Sequence, residues 1–372
     1  MKKKITILSL SLLFLLAAMP AGATVRYVKA GASGDGSSWA SAMGSLQTAI
    51  NESAAGDEVW VAEGTYTPEE LIKSSKPLSR AFMLKDGVSI YGGFKGTETS
   101  KEERAQLDGG KLYVFLHETI LSADDDVPDT WVREFQDGST YRYAWRVEGS
   151  IIPGTAKNYN HVLYAAAGIT QPTEINGLTL KGAHASDYRS KAAGGALYAK
   201  GNVTLRRCKV VENSAWFKNE STASSDTNGG AVYLDGTGGA TIEQCLFARN
   251  YSHSSYGRGI GGAVYAKNTT ISECEFEDCV ALDMGGAVYN AGGTVSDCTF
   301  TACYGGSGGA IYNDGTAKHN VIYECRGLLG GGIYNCSSAA YNIVADCYAD
   351  MIEMGEDNGG KGGGVYNERG DL

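Results

Sequence analysis

The stretch GGAVYNAGGTVSDCTFTACYGGSGGAIYN, Gly285 to Asn313, begins to repeat itself before it ends. Gly-Gly-Ala-Val-Tyr at 285–289 returns as Gly-Gly-Ala-Ile-Tyr at 308–312, with Cys298 and Cys303 between the two copies. Related phrases begin at Gly194, Gly229, Gly261, Gly330 and Gly362, and their tyrosines fall at 198, 233, 265, 289, 312, 334 and 366. The steps of 35, 32, 24, 23, 22 and 32 define a unit of about 22 residues, with insertions in the longer copies.

That unit is too long for a left-handed coil of three six-residue sides, and it carries no 3.6-residue periodicity. Short β-rich runs separated by Gly, Asn, Asp and Ser suit one turn of a parallel solenoid. The predicted fold is an all-β, right-handed parallel β-helix with three short strands per turn. The glycine pairs stand where the backbone turns with φ > 0 or leaves room for the next rung. Each phrase is followed by an aliphatic residue, as at Leu205, Ile242, Ile271 and Val295. Next comes a column of Cys208, Cys245, Cys274, Cys298, Asn320 and Asn342, and then an apolar column of Val210, Phe247, Phe276, Phe300, Ile322 and Val344. A second small-residue column follows at Asn213, Asn250, Cys279, Cys303, Cys325 and Cys347. Stacked rungs set like residues roughly 4.8 Å apart, so the apolar columns face inward and the Cys/Asn columns form a ladder at two bends.

Eight of the nine cysteines occupy these columns, Cys336 being the exception. A disulfide framework and a stack of buried thiols are both open to an exported chain. Bridge geometry is demanding enough to favour thiols, which fill the volume of asparagine at little polar cost. No C-x-x-C pair accompanies the five scattered histidines, which argues against zinc.

The ends and composition bound the rest. Lys2, Lys3 and Lys4, an apolar run from Ile5 to Ala18, and Ala21-Gly22-Ala23 read as a secretory signal over residues 1–23. The expected locations are the cell surface, the outer membrane or the extracellular space, with no membrane-spanning segment in the mature chain. A formal charge of -10 disfavours nucleic acid as a partner. Residues 24–126 read as an N-terminal cap and first rungs, with a capping helix from Ser45 to Glu52 whose Leu46, Ala49 and Ile50 share one face. Residues 127–160 break the pattern as an inserted loop or flap, and 161–372 carry the repeats. Because the chain stops just after a new rung begins, the expectation is a fragment of a longer protein.

The glycine phrases resemble the repeats of the chlamydial polymorphic outer membrane proteins, marked by Gly-Gly-Ala followed by Ile, Leu or Val and by Phe-x-x-Asn, here Phe247 to Asn250. The opening RYVKAGASGDGSSWASAMGSLQTAI, with AGDEVWVAEGTYTP and GVSIYGGFKGTETS after it, is similar to secreted right-handed β-helix proteins of Bacteroidetes. The resemblance implies a pectin-lyase-like β-helix, adhesin-like and surface-associated. Nothing in these 372 residues corresponds to the C-terminal barrel of the chlamydial proteins.

Candidate chemistry is sparse. Lyases on such a fold need a Lys or Arg base, and hydrolases need paired carboxylates. Asp124-Asp125-Asp126 is the densest acidic group, with Asp124 and Asp126 as candidate Ca²⁺ ligands against a solvated turn. Lys181, Arg189 and Lys191 lie near the insertion in sequence, with no motif to join them. Trp131, Tyr141, Tyr143 and Trp145 in the insertion are candidate sugar-stacking residues, the alternative being that they fasten the flap, with Phe135 and Tyr159, to the wall. For the tyrosine column, strict alternation would send the rings outward, whereas a buried or turn-edge stack is favoured because bends disturb alternation. G-x-S-x-G at 305–309 lacks the strand–turn–helix setting of a hydrolase elbow, and Arg369-Gly370-Asp371 is too short a match to use. The expected function is non-catalytic binding of a glycan or host surface. The rivals are a polysaccharide lyase or glycoside hydrolase acting on the β-helix wall, and a passive stalk.

Overall fold

The computed structural model describes residues 23–107, 109–126, 157–186, 192–217, 226–236, 239–254, 258–349 and 361–367. Most of the signal segment and of the aromatic insertion lies outside the described residues, together with Trp131, Phe135, Tyr141, Tyr143, Trp145, Arg189 and Lys191.

One regular rung shows how the repeat becomes a coil. After Gly261 the chain runs through the strands Val264–Lys267, Thr270–Ser272, Glu275–Glu277 and Val280–Met284. Each pairs in parallel with its counterpart in the next copy, as Tyr265 with Tyr289, Ile271 with Val295, Phe276 with Phe300 and Val280 with Tyr304. The rungs thus form one 19-stranded and two 9-stranded sheets around a common axis. Three strands per turn were expected, and a regular rung has four. The first side bends near Asn268, with φ of 48°, yet remains within a single sheet.

The bends explain the small-residue columns. Arg207, Glu212, Gln244, Arg249, Glu273, Asp278, Asp297, Ala302, His319, Glu324, Tyr341 and Asp346 all have φ between 49° and 59°. Each immediately precedes a Cys or Asn of the ladder. One left-handed residue swings the chain through the corner, and the following side chain then points into the core. That conformation costs an L-residue roughly 1–2 kcal/mol. It is offset by cross-rung bonding, in which Glu273 N donates to Ser296 O at 3.2 Å and Asp278 N to Thr301 O at 3.1 Å. At the remaining corner the first glycine of each pair takes the positive φ, 65° at Gly261. The second leaves room for its neighbour, since a Cβ on Gly262 would lie 2.0 Å from Gly286 O.

Inside, Phe247, Phe276 and Phe300 are fully buried and stack with centroids 4.8 and 4.7 Å apart. The helix Leu46–Glu52 buries Leu46, Gln47, Ala49 and Ile50, and Ser45 caps it by accepting from Thr48 N. It packs on Val25–Val28, Glu58–Ala62 and Arg80–Met83, covering the N-terminal end of the core. Gln47 adds two bonds to the Met83 backbone, at 2.7 and 3.2 Å. Among the described residues no helix is long and apolar enough to cross a membrane.

Candidate binding site

Strict alternation wins on the tyrosine strands, contrary to the buried or turn-edge stack favoured from sequence. In Val264–Lys267 the pattern is buried, half-buried, buried, half-buried, so Val264 and Ala266 enter the core and Tyr265 stands outside. The bend falls after these strands, at Asn268, and therefore does not disturb them. In-register pairing then stacks the rings. Tyr164, Tyr198, Tyr233, Tyr265, Tyr289, Tyr312, Tyr334 and Tyr366 form one ladder with successive centroids 4.8–5.6 Å apart and interplanar angles of 3–34°. Tyr164 extends the column one rung before the first glycine phrase. Burial among these neighbours pushes the Tyr233 and Tyr289 phenols up to about 12, so both remain protonated donors.

The ladder opens at its N-terminal end into a pocket of about 260 Å³. Tyr164 and Tyr198 line one side, with Asn160, His161 and Ser186 from neighbouring rungs. Ile72, Lys73, Lys76 and Ser79 come from an arm that leaves the coil after Glu70–Leu71 and returns antiparallel through Arg80–Met83. Ser79 fixes the arm, its hydroxyl taking the Lys73 N–H at 3.0 Å and donating to Lys76 O at 2.7 Å. His161 Nδ1 lies 2.9 Å from Gly194 O, an acceptor only, so Nδ1 carries the proton and the neutral ring keeps a lone pair on Nε2. Burial lowers the His161 pKa from 6.5 to about 4. Its ring sits 5.1 Å from Tyr164. No carboxylate lines the pocket among the described residues.

Of the acidic, basic and insertion residues singled out from sequence, those among the described residues fall elsewhere. Asp124 pairs with Lys181 at 3.4 Å and accepts the Asp126 N–H at 3.0 Å, while Asp126 is exposed in a left-handed turn. Among the described residues no group of three or more His, Cys, Asp or Glu could hold a metal. Tyr159 packs partly buried on the core with the Arg80 guanidinium 5.7 Å above its ring, which makes it a fastening residue of the wall. His161, Lys73 and Lys76 went unnoticed in the sequence because the fold alone joins segments so far apart. The one local signal was a histidine opening the apolar run HVLYAAAG.

All nine cysteines are free thiols. Each ladder thiol imitates the asparagine it replaces. Asn250 Nδ2 donates to Val210 O at 2.8 Å, and one rung later Cys279 Sγ points at Phe247 O at 3.5 Å. Burial pushes the Cys245, Cys274, Cys279, Cys298 and Cys303 thiols well above the ordinary range, which keeps them un-ionised and unreactive.

Residues 197–371 match a family model described as right handed beta helix region. No curated protein matches the chain significantly. Among solved structures, the crystal structure of the pectate lyase Pel9A superposes with a TM-score of 0.45 at 14% identity, covering 95% of this chain and 79% of that one. With three parallel sheets wound about one axis and the family match over their regular part, the chain is a right-handed parallel β-helix.

Proposed function

We propose that this chain is an exported, surface-associated, adhesin-like protein that binds carbohydrate without cleaving it, and that the sugar enters the pocket at the head of the tyrosine ladder. The observation that carries the reading is the convergence there of two aromatic rings with ammonium, amide and hydroxyl groups. Sugar recognition needs this mixture, an apolar face for C–H groups beside oriented donors and acceptors for hydroxyls. Export is supported by the leader-like residues 1–23.

The same lining argues against hydrolysis, while Lys73 and Lys76 keep a lyase as the rival reading. A histidine whose pKa is held near 4 is a poor base at neutral pH, and phenols raised above their ordinary value are poorer still. Among the described residues the pocket offers no carboxylate pair for hydrolysis.

The test is calorimetric titration of the exported chain with neutral and acidic oligosaccharides, with unsaturated products and new reducing ends followed in parallel. Binding without products is expected, and Tyr198→Ala should weaken it about tenfold, the loss of one aromatic contact. New product from any polymer would replace the binding reading with the lyase or hydrolase reading. Undiminished affinity in a folded Tyr198→Ala variant would remove the pocket from the site.

A further inference from the structure

The ladder extends far beyond the pocket. From Tyr233 onward six further tyrosines continue the stack, every one in register with the next, all half-buried except Tyr334, which is buried. A ligand that meets several of these rungs in the same way must share their translation, one chemical unit per rung, with ring centroids 4.8–5.6 Å apart. An extended peptide advances roughly 6.6–6.8 Å between residues that face the same way, and so it falls out of step within a few rungs. A pyranose chain in its extended form advances by close to one rung per sugar and, although alternate sugars are turned over, each brings a C–H ring face or edge to its rung.

Charge narrows the class. Two residues beyond the tyrosines on the same face, Lys200, Asp235 and Lys267 occupy one column, and Lys267 pairs with Asp235 at 3.5 Å. At the corner entering these strands Arg258 pairs with Asp226 at 2.8 Å, and Asp283 accepts the Gly259 N–H at 2.7 Å. From Asp235 onward positive charge beside the ladder is thus matched by carboxylates, on a chain whose net charge is -10, while Lys73, Lys76 and Lys200 stand at the ladder's head. Beyond the pocket a polyanion would find no cationic stripe among the described residues and would meet a repulsive overall field.

We infer that the ladder is a track for a neutral, linear, extended glycan lying along the solenoid axis, one sugar to each tyrosine. This rests on the pocket reading and adds the ligand's shape, charge and direction. The stacked rings other than Tyr334 are half-buried, so most rungs offer a narrow aromatic strip to one sugar. Single contacts of this kind are weak, and affinity accumulates through repetition.

The experiment is a length series. Linear β-1,4-linked glucose and N-acetylglucosamine oligomers of two to eight units are titrated against the whole chain, with oligogalacturonates of the same lengths as the acidic comparison. Affinity for one neutral series should rise at least tenfold from dimer to hexamer, while the acidic series stays flat. Tyr289→Ala, several rungs from the pocket, should cause a loss that grows with oligomer length, and Tyr289→Phe, which keeps the stack, should lose less. Melting curves establish that both variants are folded. Equal affinity for dimer and hexamer, or a folded Tyr289→Ala with no length-dependent loss, would overturn the track and leave the pocket reading standing. A rise with length in the acidic series alone would overturn the assignment of a neutral ligand. Failure of every oligomer to bind would overturn the pocket reading as well.

Discussion

Asn250 is the ladder residue with the most to lose. Its Oδ1 accepts from Asn213 N at 3.1 Å and Asn213 Nδ2 at 3.2 Å, and its amide donates to Val210 O at 2.8 Å, all in a fully buried setting. Truncation to alanine strands a buried N–H and a buried carbonyl, each costing about 1–3 kcal/mol. Asn250→Ala should therefore lose about 3 kcal/mol in urea unfolding. Asn250→Cys should lose less than half of that, because a thiol already does this work at Cys279 and Cys303. Equal losses would refute the equivalence of the two side chains. The columns themselves could be read from the sequence, since burial restricts which residues can stand there. The left-handed residue before each one could not. Arg, Glu, Gln, Asp, Ala, His and Tyr all occupy that place, and they share a backbone angle rather than any side-chain property.

At the level of the corner and strand, the two glycines of a pair do different work, although the sequence writes them alike. The first supplies the positive φ, and the second keeps clear of the rung above, where a Cβ on Gly262 would sit 2.0 Å from Gly286 O and 2.5 Å from the Val280 carbonyl carbon. Both contacts are backbone, so no side chain can yield. Gly262→Ala should cost about 3 kcal/mol or more, at the upper end of overpacking. Gly168→Ala is the control, because no atom lies within 4 Å of its built Cβ and its φ is outside the left-handed region. It should change stability by no more than about 0.5 kcal/mol. A chevron or urea comparison of the two variants decides the matter, and similar small effects would mean that the rungs are not in close contact at this corner. The tyrosine ladder belongs to the same scale. Alternation was the correct rule, and the error from sequence lay in placing the bend too near the tyrosine, when the chain turns only after Lys267.

The whole molecule gathers what the repeat cannot encode. The pocket joins an arm at residues 72–79 to His161, Tyr164 and Tyr198, segments united by winding and by no sequence pattern. Winding also buries ionisable groups, and this gives the coil a stability profile bounded on both sides in pH. His161 and His184 are held neutral by burial, with pKa values lowered from 6.5 to about 4. The unfolded chain binds these protons more readily, so their contribution is complete above pH 6.5 and is lost as pH falls toward 4. For the buried His184 ring this amounts to about 3 kcal/mol, and for His161, half-buried at the pocket, to less. The phenols of Tyr66, Tyr233 and Tyr289 are shifted the opposite way, from 10.0 to about 12 by burial. There the unfolded chain releases its protons first, so stability is complete below pH 10 and is lost as pH rises toward 12. The melting temperature should accordingly form a plateau between about pH 6.5 and 10 and fall on either side. His184→Gln separates the acid limb from ordinary carboxylate titration. An amide can still meet Ser214, whose Oγ lies 2.7 Å from His184 Nδ1, but it cannot be protonated in this range. The variant should hold its melting temperature to lower pH than the parent chain. An acid limb identical in both would show that His184 protonates without resistance, and that the strand His184–Ser186 is open to water at this ring.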